Sequence, residues 1–356
     1  MDFSTVFYDI PGYMNDVSNL LSKREWVIHN FNVDNHLDLY CPRNYLYNSE
    51  FKNSKYTLVV DLNIYQFLLN AIKKQTPKTA SKNAVALLVF CQISNIEIDP
   101  TYAVYEKVNY IESNVDDALN DLELFNNINN YKTEELAMYA LGRSNSISVN
   151  RNLKIDYINK KEMLLRYRRL TNWDSFYLIL LVIIDIRYDK SIPSSKKLAK
   201  FLDWVIYEFR MSLVLIVYAI IFFGLKPIKR MMKFKEAQDV VERRKALFNM
   251  TWDIYIMDKF FEKWRAKTDY EEFMFASDDK AFREILCAAI RVQKELDFDC
   301  LKNYLTNPNF DLVNDFAKMD MSSLERVFES DDWTPEYRQN LITKYEEKLF
   351  KDSCIL

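Results

Sequence analysis

The stretch Tyr56-Thr57-Leu58-Val59-Val60-Asp61-Leu62-Asn63 decides the fold class of this chain. Its apolar, β-branched run predicts a buried strand that ends at Asp61. A helical pattern from Ile64 to Lys74 follows directly. A strand that passes at once into a helix is typical of a parallel α/β unit. The sequence therefore predicts an α/β fold with a parallel sheet flanked by helices.

A second strand and helix follow the same order further along the chain. Residues 95–98 predict a short strand, and Asp99 is a natural helix N-cap with Pro100 at the first helical position. Glu106 lies inside the helix that Asp99 begins. This repetition of strand and helix strengthens the prediction of a parallel sheet.

A third junction of this kind lies near residue 277. The run Phe273-Met274-Phe275-Ala276-Ser277 predicts a strand, and Asp278 and Asp279 lie between it and an amphipathic helix over 281–296. A long helical pattern that carries Asp253 precedes the strand. Because the carboxyl ends of parallel strands meet at one edge of a sheet, we expect four acids to converge there and to bind divalent metal ions against a phosphodiester: Asp61, Glu106, Asp253 and Asp279.

These motifs, in this order, resemble those of PIN-domain nucleases. The resemblance rests on four segments: Val59-Val60-Asp61-Leu62-Asn63-Ile64, the run Ile98 to Glu106, Asn249-Met250-Thr251-Trp252-Asp253, and Phe275 to Phe282 with Ser277 in place of the family's Thr. It implies a Mg²⁺- or Mn²⁺-dependent hydrolase acting on single-stranded RNA ahead of DNA. It also implies that the four acids bind the metal, while Asn63, Ser277 and Asp278 orient them. For the third acid, Asp239 and Asp258 are rivals of Asp253.

The resemblance divides the chain into four parts. A discontinuous PIN-like nuclease core covers 57–110 and 226–298, and an almost wholly helical insertion covers 111–225. Residues 1–56 are predicted to form an irregular N-terminal extension, and residues 299–356 a helical C-terminal extension with a capping signal at Thr334-Pro335-Glu336. The insertion is a candidate surface for a protein regulator, and a homo-oligomer remains open.

Positive charge is concentrated just before the segment that carries Asp253. Residues 226–245 hold eight basic residues against three acidic ones, although the formal net charge of the 356-residue chain is −3. Such a local patch attracts a phosphate backbone. The residues predicted to bind nucleic acid are Lys229, Arg230, Lys233, Lys235, Arg243 and Arg244. A second cluster comprises Lys160, Lys161, Arg166, Arg168 and Arg169, with Tyr167 between them.

Composition excludes several other classes of function. Only three glycines are present, with no glycine-rich phosphate loop, which argues against nucleotide-driven motors and dinucleotide enzymes. Two histidines and five cysteines without a CxxC pair argue against a zinc site and indicate reduced thiols. No secretory signal is visible, so a cytoplasmic location is expected.

Two apolar runs, over 176–184 and 211–225, are predicted to be buried helices of a protein without stable membrane insertion. The longer run would span roughly 22 Å as a helix, short of the roughly 30 Å of a bilayer core. Asp174, Asp185, Arg210 and Lys226 bracket the two runs closely.

Three other interpretations remain open from the residues alone. A non-catalytic PIN-like scaffold would bind a partner through its helices. The segment Arg24 to His29 matches the R-x4-H motif of metal-independent HEPN ribonucleases. A membrane-active toxin would use the two apolar runs. The intact set of acids favours the metal-dependent nuclease, with a role as a toxin, defence effector or RNA-processing enzyme.

Overall fold

The computed structural model divides the chain into two compact units. Unit 1 comprises residues 1–169 and 263–278, and unit 2 comprises residues 170–262 and 279–356. The residues that the structure describes are 8–31, 36–74, 78–109, 114–166, 172–209, 212–320, 324, 326–327 and 331–350. Outside these ranges lie the predicted helix break at 75–77 and part of the second basic cluster, Tyr167, Arg168 and Arg169.

Unit 1 contains all the strands of the sheet and nine helices, counted over the described residues. The strands are β1 (Val27–Ile28), β2 (Lys55–Val60), β3 (Ile96–Asp99) and β4 (Glu271–Ala276). The helices are α1 (Met14–Leu21), α2 (His36–Leu39), α3 (Pro42–Lys52), α4 (Leu62–Lys73), α5 (Thr79–Ile93), α6 (Thr101–Asn109), α7 (Val115–Asn129), α8 (Thr133–Ala140) and α9 (Tyr157–Arg166).

The sheet has the strand order β1-β4-β2-β3, and its three longer strands are parallel. Val60 of β2 lies opposite Ala276 of β4, and Val59 lies opposite Asp99 of β3. The strands β2, β3 and β4 therefore end at the same edge of the sheet. Leu58 and Val59 are both about fully buried, as expected of a parallel strand covered on both faces. The predicted α/β class with a mostly parallel sheet is confirmed.

The N-terminal segment is more regular than the sequence suggests. The prediction of an irregular extension over 1–56 is wrong for its described part, which forms α1, α2, α3 and the antiparallel edge strand β1. In α1, Met14, Val17 and Leu21 are buried at helical spacing. In α3, Pro42 lies in the first turn and Asn53 ends the helix in the left-handed conformation at φ 53°. Both helices are short, so their apolar period was too brief to be recognised.

A buried carboxylate joins three helices of unit 1. Asp121 of α7 is 2% exposed and forms ion pairs with Lys73 of α4 and Lys107 of α6. Burying a carboxylate is costly unless it is paired and hydrogen-bonded. The two lysines therefore fix α4 and α6 against α7.

Unit 2 is helical and carries both apolar runs. Its helices are α10 (Trp173–Tyr188), α11 (Lys197–Glu208), α12 (Leu213–Phe223), α13 (Val240–Arg265, whose last turn belongs to unit 1), α14 (Lys280–Glu295), α15 (Asn307–Lys318) and α16 (Pro335–Phe350), with short 3₁₀ segments at Ser194–Lys196 and Asp299–Tyr304. In α10, 11 of 16 residues are buried, and in α12, 10 of 11. The helix α10 packs on α11 and α16, and α12 packs on α11 and α14. Both runs are thus core helices.

Two buried cations satisfy helix ends in unit 2. Lys197 donates from Nζ to the carbonyls of Arg187 and Asp189 at the end of α10. Arg326 donates to the carbonyls of Ile206 and Phe209 at the end of α11. The last carbonyls of a helix lack partners within the helix, and positive charge is favourable there.

None of the described helices is long and apolar enough to cross a bilayer.

We predict that Asp121→Asn lowers the free energy of unfolding by about 3 kcal/mol, because two partly buried lysines lose their shared counter-charge. Urea denaturation measures the change. Glu123→Gln on the same helix is the matched control, since Glu123 pairs with the exposed Lys154 and should change stability by less than about 1 kcal/mol. Equal effects of the two substitutions would contradict the role of Asp121.

Candidate metal and nucleic-acid site

Asp61 lies at the junction of β2 and α4 and uses its two carboxylate oxygens differently. Oδ1 accepts a hydrogen bond from the amide of Ile64 at 2.7 Å and caps α4. Oδ2 accepts from the hydroxyl of Ser277, at the end of β4, at 2.6 Å. The residue is only 7% exposed. A buried carboxylate is therefore held at the edge where the parallel strands end.

The residues predicted to orient the four acids have three different environments. Ser277 binds Asp61 directly, and the amide of Ser277 donates to the Trp26 carbonyl at 3.0 Å. Asp278 accepts from the indole of Trp26 at 2.8 Å and so ties β4 to the segment before β1. Asn63 is exposed, and among the described residues its side chain makes no hydrogen bond to Asp61. The amide of Ile64 supplies the contact to Oδ1 instead.

Asp99 is an acid that the sequence analysis assigned to helix capping alone. Its Oδ1 accepts from the amide of Thr101 at 2.9 Å, and its Oδ2 accepts from Lys263 Nζ at 3.2 Å. Burial acts to raise the pKa of Asp99, but the hydrogen bonds from Thr101 and the positive charge of Lys263 outweigh it and lower the pKa below its ordinary value. Asp99 ends the strand next to β2, so it adds a second carboxyl group to this edge. The Asp-Pro signal in the sequence could have indicated it.

Glu106 is half-buried on α6, the helix that follows Asp99. The next residue, Lys107, pairs with the buried Asp121 and fixes this turn of α6 against α7. The ion pair of Lys107 therefore holds the helical turn that carries Glu106 against α7.

In unit 2, Asp279 repeats the division of oxygens seen at Asp61. Its Oδ1 accepts from the amides of Ala281 and Phe282, at 2.8 and 3.2 Å, and caps α14. Its Oδ2 lies 3.9 Å from the ammonium of Lys233. The carboxylate that begins the helix is thus also part of an ion-pair cluster.

Asp253 of α13 shares the same lysine. Its Oδ2 forms a close ion pair with Lys233 Nζ, so Lys233 lies between Asp253 and Asp279. The Asp253 side chain keeps 29% of its surface exposed, yet surrounding protein groups are dense enough that burial raises its pKa. The nearby Asp279 acts in the same direction, and Lys233 opposes both effects.

A narrow cavity of about 20 Å³ opens beside these groups. Lys233, Asp253 and Asp279 line it together with Arg230 and Tyr218. Burial raises the pKa of Tyr218, whose hydroxyl donates to the Met231 carbonyl at 3.0 Å. A cavity of this volume accommodates about one water molecule or a single ion.

The two rivals of Asp253 have other environments. Asp239 is exposed and accepts from the amide of Glu242 in the first turn of α13. Asp258 is 2% exposed and accepts a hydrogen bond from the Ser212 hydroxyl at the start of α12. Of these three acids, Asp253 is therefore the one that the described structure places with Asp279.

The six basic residues predicted to bind nucleic acid separate into two groups. Arg243 donates to the Leu349 carbonyl, and Arg244 pairs with Glu346 at 3.0 Å and lies over the ring of Phe350. With Lys233, these residues contact groups within unit 2. The other three are exposed and make no ion pair among the described residues: Lys229, Arg230 and Lys235. They are the members of the set that remain available to a phosphate.

The segment that matches the HEPN motif does not form a helix. Val27 and Ile28 form β1, and His29 stacks on Phe31 with 5.3 Å between ring centroids. A metal-independent ribonuclease of that family would present this motif on a helical bundle. The geometry here gives His29 a packing role.

Within the described residues, no group of three or more His, Cys, Asp or Glu side chains is placed to hold one metal ion. No family model, curated protein or solved structure matches the chain.

We predict that Ser277→Ala lowers the free energy of unfolding by about 2 kcal/mol, because the buried Asp61 loses a hydroxyl donor. Chemical denaturation measures the loss. Ser191→Ala is the matched control, since Ser191 donates a bond of the same kind to Asp189, 2.6 Å long, at an exposed place. An equal decrease in the free energy of unfolding for Ser191→Ala and Ser277→Ala would contradict the claim that burial makes the Ser277 bond important.

Proposed function

We propose that this chain is a PIN-like, metal-dependent nuclease that hydrolyses phosphodiester bonds, with single-stranded RNA as the preferred substrate. The acids assigned to the reaction are Asp61 and Glu106 in unit 1 and Asp253 and Asp279 in unit 2. The proposal includes Mg²⁺ or Mn²⁺ as the cofactor. A cytoplasmic location and a role as a toxin or defence effector remain predictions.

The observation that supports the proposal most is a repeated division of carboxylate oxygens. Asp61, Asp99 and Asp279 each follow a strand, and each uses Oδ1 for a helix amide. In each, Oδ2 faces a hydroxyl or an ammonium group instead. One oxygen per acid is thus committed to the fold, and the other is directed to a polar partner.

The donors also fit the chemistry of a hard divalent cation. Mg²⁺ and Mn²⁺ prefer carboxylate oxygens and water. In unit 2, Asp253 and Asp279 already face one positive charge, the ammonium of Lys233, so this pair of acids is arranged around a cation. Burial raises the pKa of Asp253 and so disfavours its ionised form. A second positive charge at this place would favour the ionised form.

A bound divalent cation supplies a water of lowered pKa and positive charge for the phosphate oxygens. The chain itself contributes orientation and charge. Ser277 and the amide of Ile64 fix the Asp61 carboxylate from two sides, so its rotamer is set before substrate arrives. Lys233 neutralises Asp253 and Asp279 until another cation competes for the two carboxylates.

Substrate binding is assigned to the exposed basic residues of unit 2. Lys229, Arg230 and Lys235 lie between α12 and α13, and Arg230 also lines the cavity beside Asp253 and Asp279. Positive side chains next to acids draw a phosphate backbone towards groups that would otherwise repel it.

We predict that Asp61→Asn and Asp279→Asn each lower the rate of Mn²⁺-dependent cleavage of labelled single-stranded RNA by about 100-fold or more, because each loses a charged oxygen donor. A parallel series with single-stranded DNA tests the preference for RNA. Asp315→Asn, at an exposed position of α15, is the control and should cleave like the wild type.

Three outcomes would reject this function. Equal rates of cleavage by the wild type and all variants would show that Asp61 and Asp279 take no part in the reaction. EDTA-resistant cleavage that is lost in His29→Ala would favour the HEPN alternative. Absence of cleavage and of Mn²⁺ binding in the wild type would leave a non-catalytic scaffold, which binds a partner, as the better interpretation.

We also predict that Lys233→Met increases the affinity for Mn²⁺ by about tenfold, because the ammonium competes with the metal for Asp253 and Asp279. Titration calorimetry at fixed pH measures this affinity without relying on cleavage. Lys235→Met removes an exposed charge two residues away and is the matched control. Weaker Mn²⁺ binding in Lys233→Met than in the control would contradict the competition.

A further inference from the structure

A cavity of about 390 Å³ in unit 1 is lined by none of the acids assigned above. It is formed by α3, the end of α2 and the first residues of β2, and four aromatic residues line it: Phe31, Tyr45, Tyr47 and Tyr56. Its volume falls within the roughly 300–1,000 Å³ that is usual for small-molecule sites. Because Tyr56 lies near the start of β2 and Asp61 just after its end, the cavity is at the opposite end of that strand.

The inner wall of this cavity is rigid. Tyr45 and Tyr56 are buried and pack edge to face with 4.8 Å between ring centroids. The Tyr45 hydroxyl donates to the Leu39 carbonyl at 2.8 Å, and the Tyr56 hydroxyl accepts from the Asn48 amide at 2.9 Å. Phe31 meets both rings edge-on. A flat ligand that enters the cavity would therefore meet an aromatic wall that is already formed.

The rim presents an aromatic face to solvent. Tyr47 is 50% exposed, and its ring lies 4.8 Å from that of Phe51, which is 51% exposed and tilted by 33°. Neighbouring aromatic rings that are half exposed leave apolar surface in water, which a stacked planar ring would cover. Nucleobases stack on such side chains with little regard to sequence.

Polar groups of the cavity fit the rest of a nucleotide. Asn44 and Asn48 donate through Nδ2 to Asp38 O and to Tyr56, and within the described residues neither Oδ1 accepts a hydrogen bond, so each can accept one from an amino group of a base. Lys52 lines the mouth, is exposed and forms no ion pair among the described residues. Asp38 also lines the cavity and supplies an acceptor for sugar hydroxyls.

We propose that this cavity binds one ribonucleotide unit, with its base on Tyr47, its phosphate at Lys52 and its sugar hydroxyls towards Asp38. A single lysine matches a single phosphate better than a triphosphate, so the ligand is a nucleoside monophosphate or one nucleotide of an RNA strand. None of the acids of the proposed nuclease lines this site, and binding there needs no metal.

Binding in EDTA tests this proposal independently of cleavage. Titration calorimetry with AMP, GMP, CMP and UMP, and fluorescence anisotropy with a labelled single-stranded RNA octamer, separate a free nucleotide from a strand. Tyr47→Ala and Lys52→Gln should each weaken binding of the preferred probe by about tenfold. Tyr207→Ala and Lys200→Gln, which change exposed residues of unit 2, are the matched controls and should bind like the wild type.

Weaker binding by Tyr47→Ala and Lys52→Gln, with melting temperatures unchanged, supports the site. This holds whether the bound probe is a mononucleotide or the octamer. Failure of every probe to bind at millimolar concentration, or binding that is indifferent to Tyr47→Ala and Lys52→Gln, overturns it. A wild type that binds nucleotide in EDTA but does not cleave RNA with Mn²⁺ would retain this site and reject the nuclease.

Discussion

A helix that begins directly after a buried strand has amide groups that need hydrogen-bond acceptors. This requirement explains why acidic residues stand at the strand and helix junctions of this chain. The first amides of a helix have no partners within the helix, and negative charge is favourable beside them. Asp61 and Asp99 meet this need where β2 and β3 end, and Asp279 does so at the start of α14.

Capping alone does not require a charge at a buried position. Ser212, which is 4% exposed, caps α12 with a neutral hydroxyl, whereas Asp61, at 7% exposure, keeps a carboxylate and a hydrogen bond from Ser277. The exposed caps Asp156 and Asp239 are also acidic, but their charge remains in water and costs little. The buried carboxylate of Asp61 is therefore the cap that helix capping alone explains least, and the proposed function gives it a second role.

Local pattern was sufficient to predict the strand and helix junctions, because an apolar run, an Asp and a helical period are adjacent in sequence. The bounds of β2, β3 and β4 fall within two residues of those expected. Long-range pairing was not predictable in this way. Arg244 looks like any surface cation in the sequence, yet it meets Glu346, about a hundred residues later. Lys233 likewise looked available to nucleic acid, although it lies between two acids.

The position of Lys233 links stability to function in unit 2. Asp253 and Asp279 would repel each other without a cation, and burial already raises the pKa of Asp253. An ammonium on a flexible stem relieves this repulsion without the rigid, two-bond geometry of a guanidinium. Under the proposed function, unit 2 would fold with these acids neutralised by Lys233 and would exchange the ammonium for an external cation. A pair of acids that served stability alone would have no need of a partner that can leave.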